Sequence, residues 1–125
     1  MKAHKAMKAR KFRQSLGSLL RVAVAELNDV IRELRDLALE ARMDDGDHMY
    51  ASLTHGTADS VRMIVMHMSG RNFDKAARVY RDLDNDDREF IEMHAPAATA
   101  ILAPIMNRPH AIDDVLEKLR QTYGR

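Results

Sequence analysis

Between Leu16 and Ala41 the apolar residues step by four, three, four and three. Leu16, Leu20, Ala23, Leu27, Val30, Leu34, Leu37 and Ala41 fill every position of that register. A helix is the regular structure that brings such a period onto one face. Val24, Ile31 and Ala38 add a third row beside the seam. Two rows suit a coiled coil, whereas three make a stripe wide enough for a helical bundle. The pattern predicts one helix over about 3–43. From Phe12 to Met43 alone it would run about 48 Å at 1.5 Å per residue. A helix of that length in a 125-residue chain must fold back on a second helix or pair with another copy.

The segment Asp44-Asp45-Gly46-Asp47-His48 supplies the break. Gly46 permits a left-handed cap, and the aspartates suit the start of a following helix. That second helix is expected over about 47–69, with Gly70 closing it. Within it Ser52, Gly56 and Ser60 recur every four residues. Such a row of small residues lets another helix approach, most simply the first. The stretch Val61–Met68 is apolar on nearly every side, which predicts burial. A third helix is expected over 71–83, with Asn72 as N-cap and Phe73, Ala77 and Tyr80 on one face. The run 84–87 then caps a fourth helix bearing Phe90, Ile91 and His94. Pro96 ends or kinks it. A short apolar helix follows as far as Pro104. A last helix starts near Pro109 and carries Ile112, Val115, Leu116, Leu119 and Tyr123 on its inner side. No strand pattern competes. The expected fold is all-α: a single domain over 1–125, a bundle of about four to six helices built on the 3–43 and 47–69 hairpin.

Composition agrees. Hydrophobic residues are 46% and charged residues 31%, so the chain is globular. It has no cysteine, which removes disulfide and thiolate chemistry and fits a reducing, cytoplasmic setting. No apolar run approaches a membrane span, and Arg21 interrupts the one early apolar stretch that a secretory signal would need. The first 25 residues are basic and amphipathic, which also describes a transit peptide.

Charge is unevenly spread. Residues 1–25 hold Lys2, Lys5, Lys8, Arg10, Lys11, Arg13 and Arg21 and no acid. Lys2, Lys5, Lys8, Arg10, Lys11 and Arg13 form a basic arm over 1–15. Such an arm neutralises phosphates, or docks on an acidic protein such as a neighbouring subunit. No base-reading motif accompanies it, so any nucleic-acid binding would be non-specific.

Two sets of side chains raise the question of chemistry. Arg62 and His67 flank four residues, and an Arg-x4-to-6-His pair resembles that of the HEPN ribonucleases. That resemblance implies a small all-α dimer cleaving RNA at its interface. His67 would move the proton of a 2′-hydroxyl and Arg62 would hold the phosphate. The residue after the arginine is Met63 here, where that family carries a small or polar one. Arg42–His48 and Arg88–His94 repeat the spacing with five residues between. The competing reading leaves Arg62 reaching to the helix surface and His67 packed. Asp82, Asp84 and Asp86 match the first positions of a calcium loop, but Asp87 stands where glycine is required and Met93 where glutamate is. The histidines show no i,i+4 pair. No metal site and no cofactor is expected. Nine methionines are most simply packing residues, with a groove or interface role as the alternative.

The expectation is therefore a non-enzymatic helical assembly or adaptor protein, a homo-oligomer. Leu16, Leu20, Leu27, Leu34, Ser52, Gly56 and Ser60 would form its helix-packing or oligomer contacts. The basic arm would meet a nucleic acid or an acidic protein. The HEPN-like nuclease is one alternative. A small phage- or bacterium-type protein that binds and modulates another protein is a second.

Overall fold

The computed structural model describes residues 2–44, 46–107, 117 and 121, with side chains described from Gly17 onward. It is an all-helical bundle. Helix α1 covers Lys2–Met43, α2 His48–Ser69, α3 Phe73–Asp82, α4 Asn85–His94 and α5 Pro96–Leu102, followed by a 3-10 turn at Ala103–Ile105. At 1.5 Å per residue α1 is about 63 Å long and α2 about 33 Å, so α2 covers only half of its partner. Helices α2, α4 and α5 all pack on α1, and α3 rests on α2 and α5.

The stripe of α1 becomes its buried face. Ala23, Leu27, Val30, Ile31, Leu34, Ala38 and Ala41 are buried. Leu37 is only half-buried, and Ala38 from the third row takes its place. An unsupercoiled helix has 3.6 residues per turn, so a strict 3.5-residue seam drifts around it by roughly 20° per heptad. By the end of α1 the drift has carried the seam off the contact. This is the signature of bundle packing rather than of a supercoiled pair.

The hairpin turn follows the sequence reading closely. Gly46 has φ +65°, the left-handed value expected of it. Asp47 is the N-cap of α2, and its Oδ1 accepts the Tyr50 N–H at 3.0 Å. The end of α2 differs. Gly70 has an ordinary φ of −84°, and Arg71 takes the left-handed conformation at φ 58°. The Asn72 N–H donates to the His67 carbonyl at 2.7 Å and the Arg71 N–H to that of Met68 at 2.9 Å. These two bonds are a Schellman cap whose left-handed position is arginine instead of glycine.

The short helices end on groups from elsewhere in the chain. Asn72 and Asp84 occupy the N-cap positions of α3 and α4, but neither side chain makes a capping bond. Arg88 instead reaches back from α4 to the carbonyl of Arg81, at 2.6 Å, and to that of Leu83 and the Asn85 side chain. It closes the C-terminal end of α3 onto the first turn of α4. Pro96 starts α5, and the helix's first free N–H, that of Ala97, donates to Glu26 Oε1 of α1 at 3.1 Å. A carboxylate 71 residues away thus caps α5. The core gathers around this contact: Leu27, Ile64, Met68, Ile91, Ile101, Leu102 and Ile105 are fully buried. The last predicted helix, beyond Asn107, lies outside the described residues. Glu117 and Gln121 are the exceptions, and both are helical and exposed.

Two outcomes follow for stability. Glu26→Ala should cost about 1–2 kcal/mol in urea unfolding, because it orphans a helix N-terminus as well as losing a charge-assisted bond. Tyr80 is buried, and burial raises its phenol above the ordinary 10.0. The Thr99 hydrogen bond lowers it, Glu92 adds to the rise and Arg88 opposes it. The folded chain then keeps this proton after the unfolded chain releases it, so the contribution to stability is complete below pH 10.0 and is lost as pH rises through the folded value. Tyr80→Phe should lose less stability than the wild type between about pH 9 and about pH 11, as read from urea midpoints.

Candidate interaction surface

Helix α2 has two faces with the same period. Ala51, Thr54, Ala58, Val61, Ile64 and Met68 are buried inside the bundle. On the other side Met49, Leu53, Gly56, Ser60, Met63 and His67 step by four, three, four, three and four. At 100° per residue these six fall within an arc of about 80°. Met49 is 77% exposed, Leu53 67% and Met63 48%, with Met66 at 60% beside them. A methyl group placed on Gly56 would meet nothing within 4 Å.

This arrangement corrects two expectations. The stretch from Val61 to Met68 is not buried all round. Val61, Ile64 and Met68 are buried, Val65 and His67 are half-buried, and Met63 and Met66 face outward. Nor do Ser52, Gly56 and Ser60 receive α1. Ser52 and Gly56 are exposed and Ser60 is half-buried. Ala51, Thr54 and Ala58 supply the small residues that let α1 approach, and these sit on the opposite side.

The Arg62–His67 pair does not converge. Five residues on a helix are separated by about 140°. Arg62 is exposed on one side and His67 half-buried on another, with no hydrogen bond or ion pair between them. The two look-alike pairs are occupied differently. Arg88 holds the α3–α4 turn. His94 is exposed, with its ring 4.4 Å from that of Phe90 and its Nδ1 3.8 Å from Glu33 Oε2. Arg42 and His48 are both exposed at the hairpin end. The aspartates of 82–87 belong to helix ends: Asp82 closes α3, Asp84 precedes α4, and Asp87 Oδ2 accepts the Thr57 hydroxyl of α2 at 3.1 Å.

Leu27 and Leu34, expected at helix contacts, are spent on the chain's own core, and Leu20 is half-buried against it. The side chains of Leu16 and of the arm residues Lys2, Lys5, Lys8, Arg10, Lys11 and Arg13 lie outside the described residues, although α1 runs through all seven positions. The charge segregation they create is sharp. Residues 1–16 carry six Lys/Arg and no acid, while 17–107 carry sixteen Asp/Glu and ten Lys/Arg. Among the described residues no helix is long and apolar enough to cross a membrane.

The open space at Gly56 has a direct consequence. Gly56→Ala should raise the unfolding free energy by about 1 kcal/mol, because alanine is the better helix former and nothing obstructs it within the chain. Urea denaturation at low protein concentration checks this.

Comparison adds no relative to this geometry: no protein-family model matches the chain, and no curated protein or solved structure is significantly similar to it.

Proposed function

We propose that this chain is a non-enzymatic helical assembly protein that self-associates through the outward face of α2. The observation that carries the reading is the doubled periodicity of that helix. An amphipathic helix needs one apolar stripe to join a bundle. The second stripe, Met49, Leu53, Gly56, Ser60 and Met63, has no partner within the described chain and leaves large apolar side chains in water. Contiguous exposed apolar surface of this kind marks an interaction site.

A second copy fits the stripe better than an unrelated groove would. Antiparallel pairing about a two-fold near Ala58 sets Leu53 against the second copy's Met63 position. It also sets Met49 against the position of His67, and Gly56 against that of Ser60. The small residues then meet at the centre, where two helix backbones come closest. A two-fold interface requires such self-complementarity. Methionine suits its flanks because the flexible thioether adapts to irregular contacts. On this reading the basic arm contacts a polyanion, nucleic acid or acidic protein, through charge alone, and the protein works in the cytoplasm. The Arg62–His67 nuclease reading gains no support, since the two side chains stand on different sides of α2.

Size-exclusion chromatography with light scattering tests the assembly. The wild type should elute as a dimer or larger, and Leu53→Asp as a folded monomer. A wild type that stays monomeric at all concentrations would overturn the reading. Absorbance at 260 nm co-eluting at low salt and lost at high salt identifies the arm's partner as nucleic acid, because counterion release makes such binding fall steeply with salt.

A further inference from the structure

A second unfilled feature lies at the other end of the bundle. An open groove of about 590 Å³ runs between α1 and the end of α2. Leu20, Val24 and Met68 give it an apolar floor, and Arg21 and Arg71 stand on its rim. Among the described residues neither arginine has a carboxylate partner: Arg21 reaches only the Ser18 hydroxyl, at 3.4 Å. Arg71 holds its place at φ 58°, where glycine is the usual occupant. The position costs an L-residue roughly 1 kcal/mol and sets a cation beside the groove.

We infer that the C-terminal segment 111–123 of the same chain docks in this groove as an amphipathic helix. Three observations support the assignment. The first is pattern. Ile112, Val115, Leu116, Leu119 and Tyr123 share one helical face. Glu117 and Gln121, the two described residues of the segment, are helical and exposed, and by register they fall roughly opposite that face. A helix with its polar face in water has its apolar face against a surface.

The second is length. The groove runs along α1 from Gly17 to Asn28, about 17 Å of helix, and thirteen residues of helix make about 20 Å. The continuous described chain ends at Asn107, after the 3-10 turn that packs on α5. Helix α5 itself packs on α1, so the chain leaves the body beside the helix it must reach. Arg108, Pro109 and His110 can bridge about 10 Å when extended. The third is charge. Asp113 and Asp114 flank the apolar face of the segment and complement Arg21 and Arg71. Docking would close the groove to acidic amphipathic segments of other proteins.

The absence of native cysteine makes the test clean. Val24→Cys and Leu116→Cys are combined in the full-length chain and treated with a mild oxidant. The expected result is a disulfide within one chain, with no such bond in a control pairing Leu116→Cys with Met43→Cys at the far end of the hairpin. Cross-linking only between chains would make a second copy the occupant and overturn the inference, and equal or absent cross-linking in both pairs would also overturn it. A single Val24→Cys variant gives an independent reading that needs only one substitution in the body. Its thiol should react slowly with a maleimide and about tenfold faster once Leu116→Asp and Leu119→Asp are added. An unchanged rate would reject the docking.

Discussion

The bundle depends on the buried stripe of α1. An isolated helix of this length with one apolar face has no reason to stay in solution alone, since most helical stability in proteins comes from packing that face. Between Leu20 and Ala41 the stripe receives α2 on one flank and α4 and α5 on the other. The remaining helices are short, with ten residues or fewer. Helices of that size are marginal by themselves. They persist because Ala76, Ala77, Tyr80, Ile91, Ala98 and Ile101 complete the core that α1 and α2 begin.

The short helices raise a second constraint, that of their ends. Each helix leaves four N–H and four C=O groups without internal partners, and a ten-residue helix is mostly ends. The chain meets this with few side-chain caps of the usual local kind. Asp47 is one. The others come from distant or unexpected residues: Glu26 on α5, Arg88 on the end of α3, and Arg71 as the left-handed residue after α2. These contacts join secondary structure to tertiary structure directly, because none of the helix ends they satisfy is complete until its neighbour has packed.

This division explains what could be read in advance. Periodicity is local, so the length of α1, the Gly46 break, the Pro96 boundary and the faces of α3 were legible. A period shows which residues share a face, but not which of two faces turns inward. Ser52, Gly56 and Ser60 were legible as a row, yet Ala51, Thr54 and Ala58 form an equally small row on the other side and took the contact with α1. Val61–Met68 looked buried because five of the seven residues from Arg62 to Met68 are apolar, but a two-turn segment covers every direction and neighbours occupy only one part of it. The Glu26 cap was out of reach for a different reason: no local pattern links residues 71 positions apart. Arg88 and His94 looked like a chemical pair in sequence, although one is a helix cap and the other lies against Phe90.

The charge distribution bears on how two copies would pair through α2. Parallel pairing would place both N-terminal arms side by side, each with six positive charges and none negative. Like charges of that density repel over about 8–10 Å at ordinary salt. Antiparallel pairing sends the arms to opposite ends of the assembly, because α1 runs antiparallel to α2 within each chain. Each arm then extends away from its twin. The body over 17–107, with sixteen acids against ten bases, balances it. The same arrangement brings the two Asp59 carboxylates toward the axis, a repulsion that limits affinity. The seam itself is modest, since Gly56 and Ser60 interrupt its apolar residues while the inner face buries Val61, Ile64 and Met68 completely. Folding of the single chain thus has the stronger driving force, and association through α2 follows it as a weaker, concentration-dependent step.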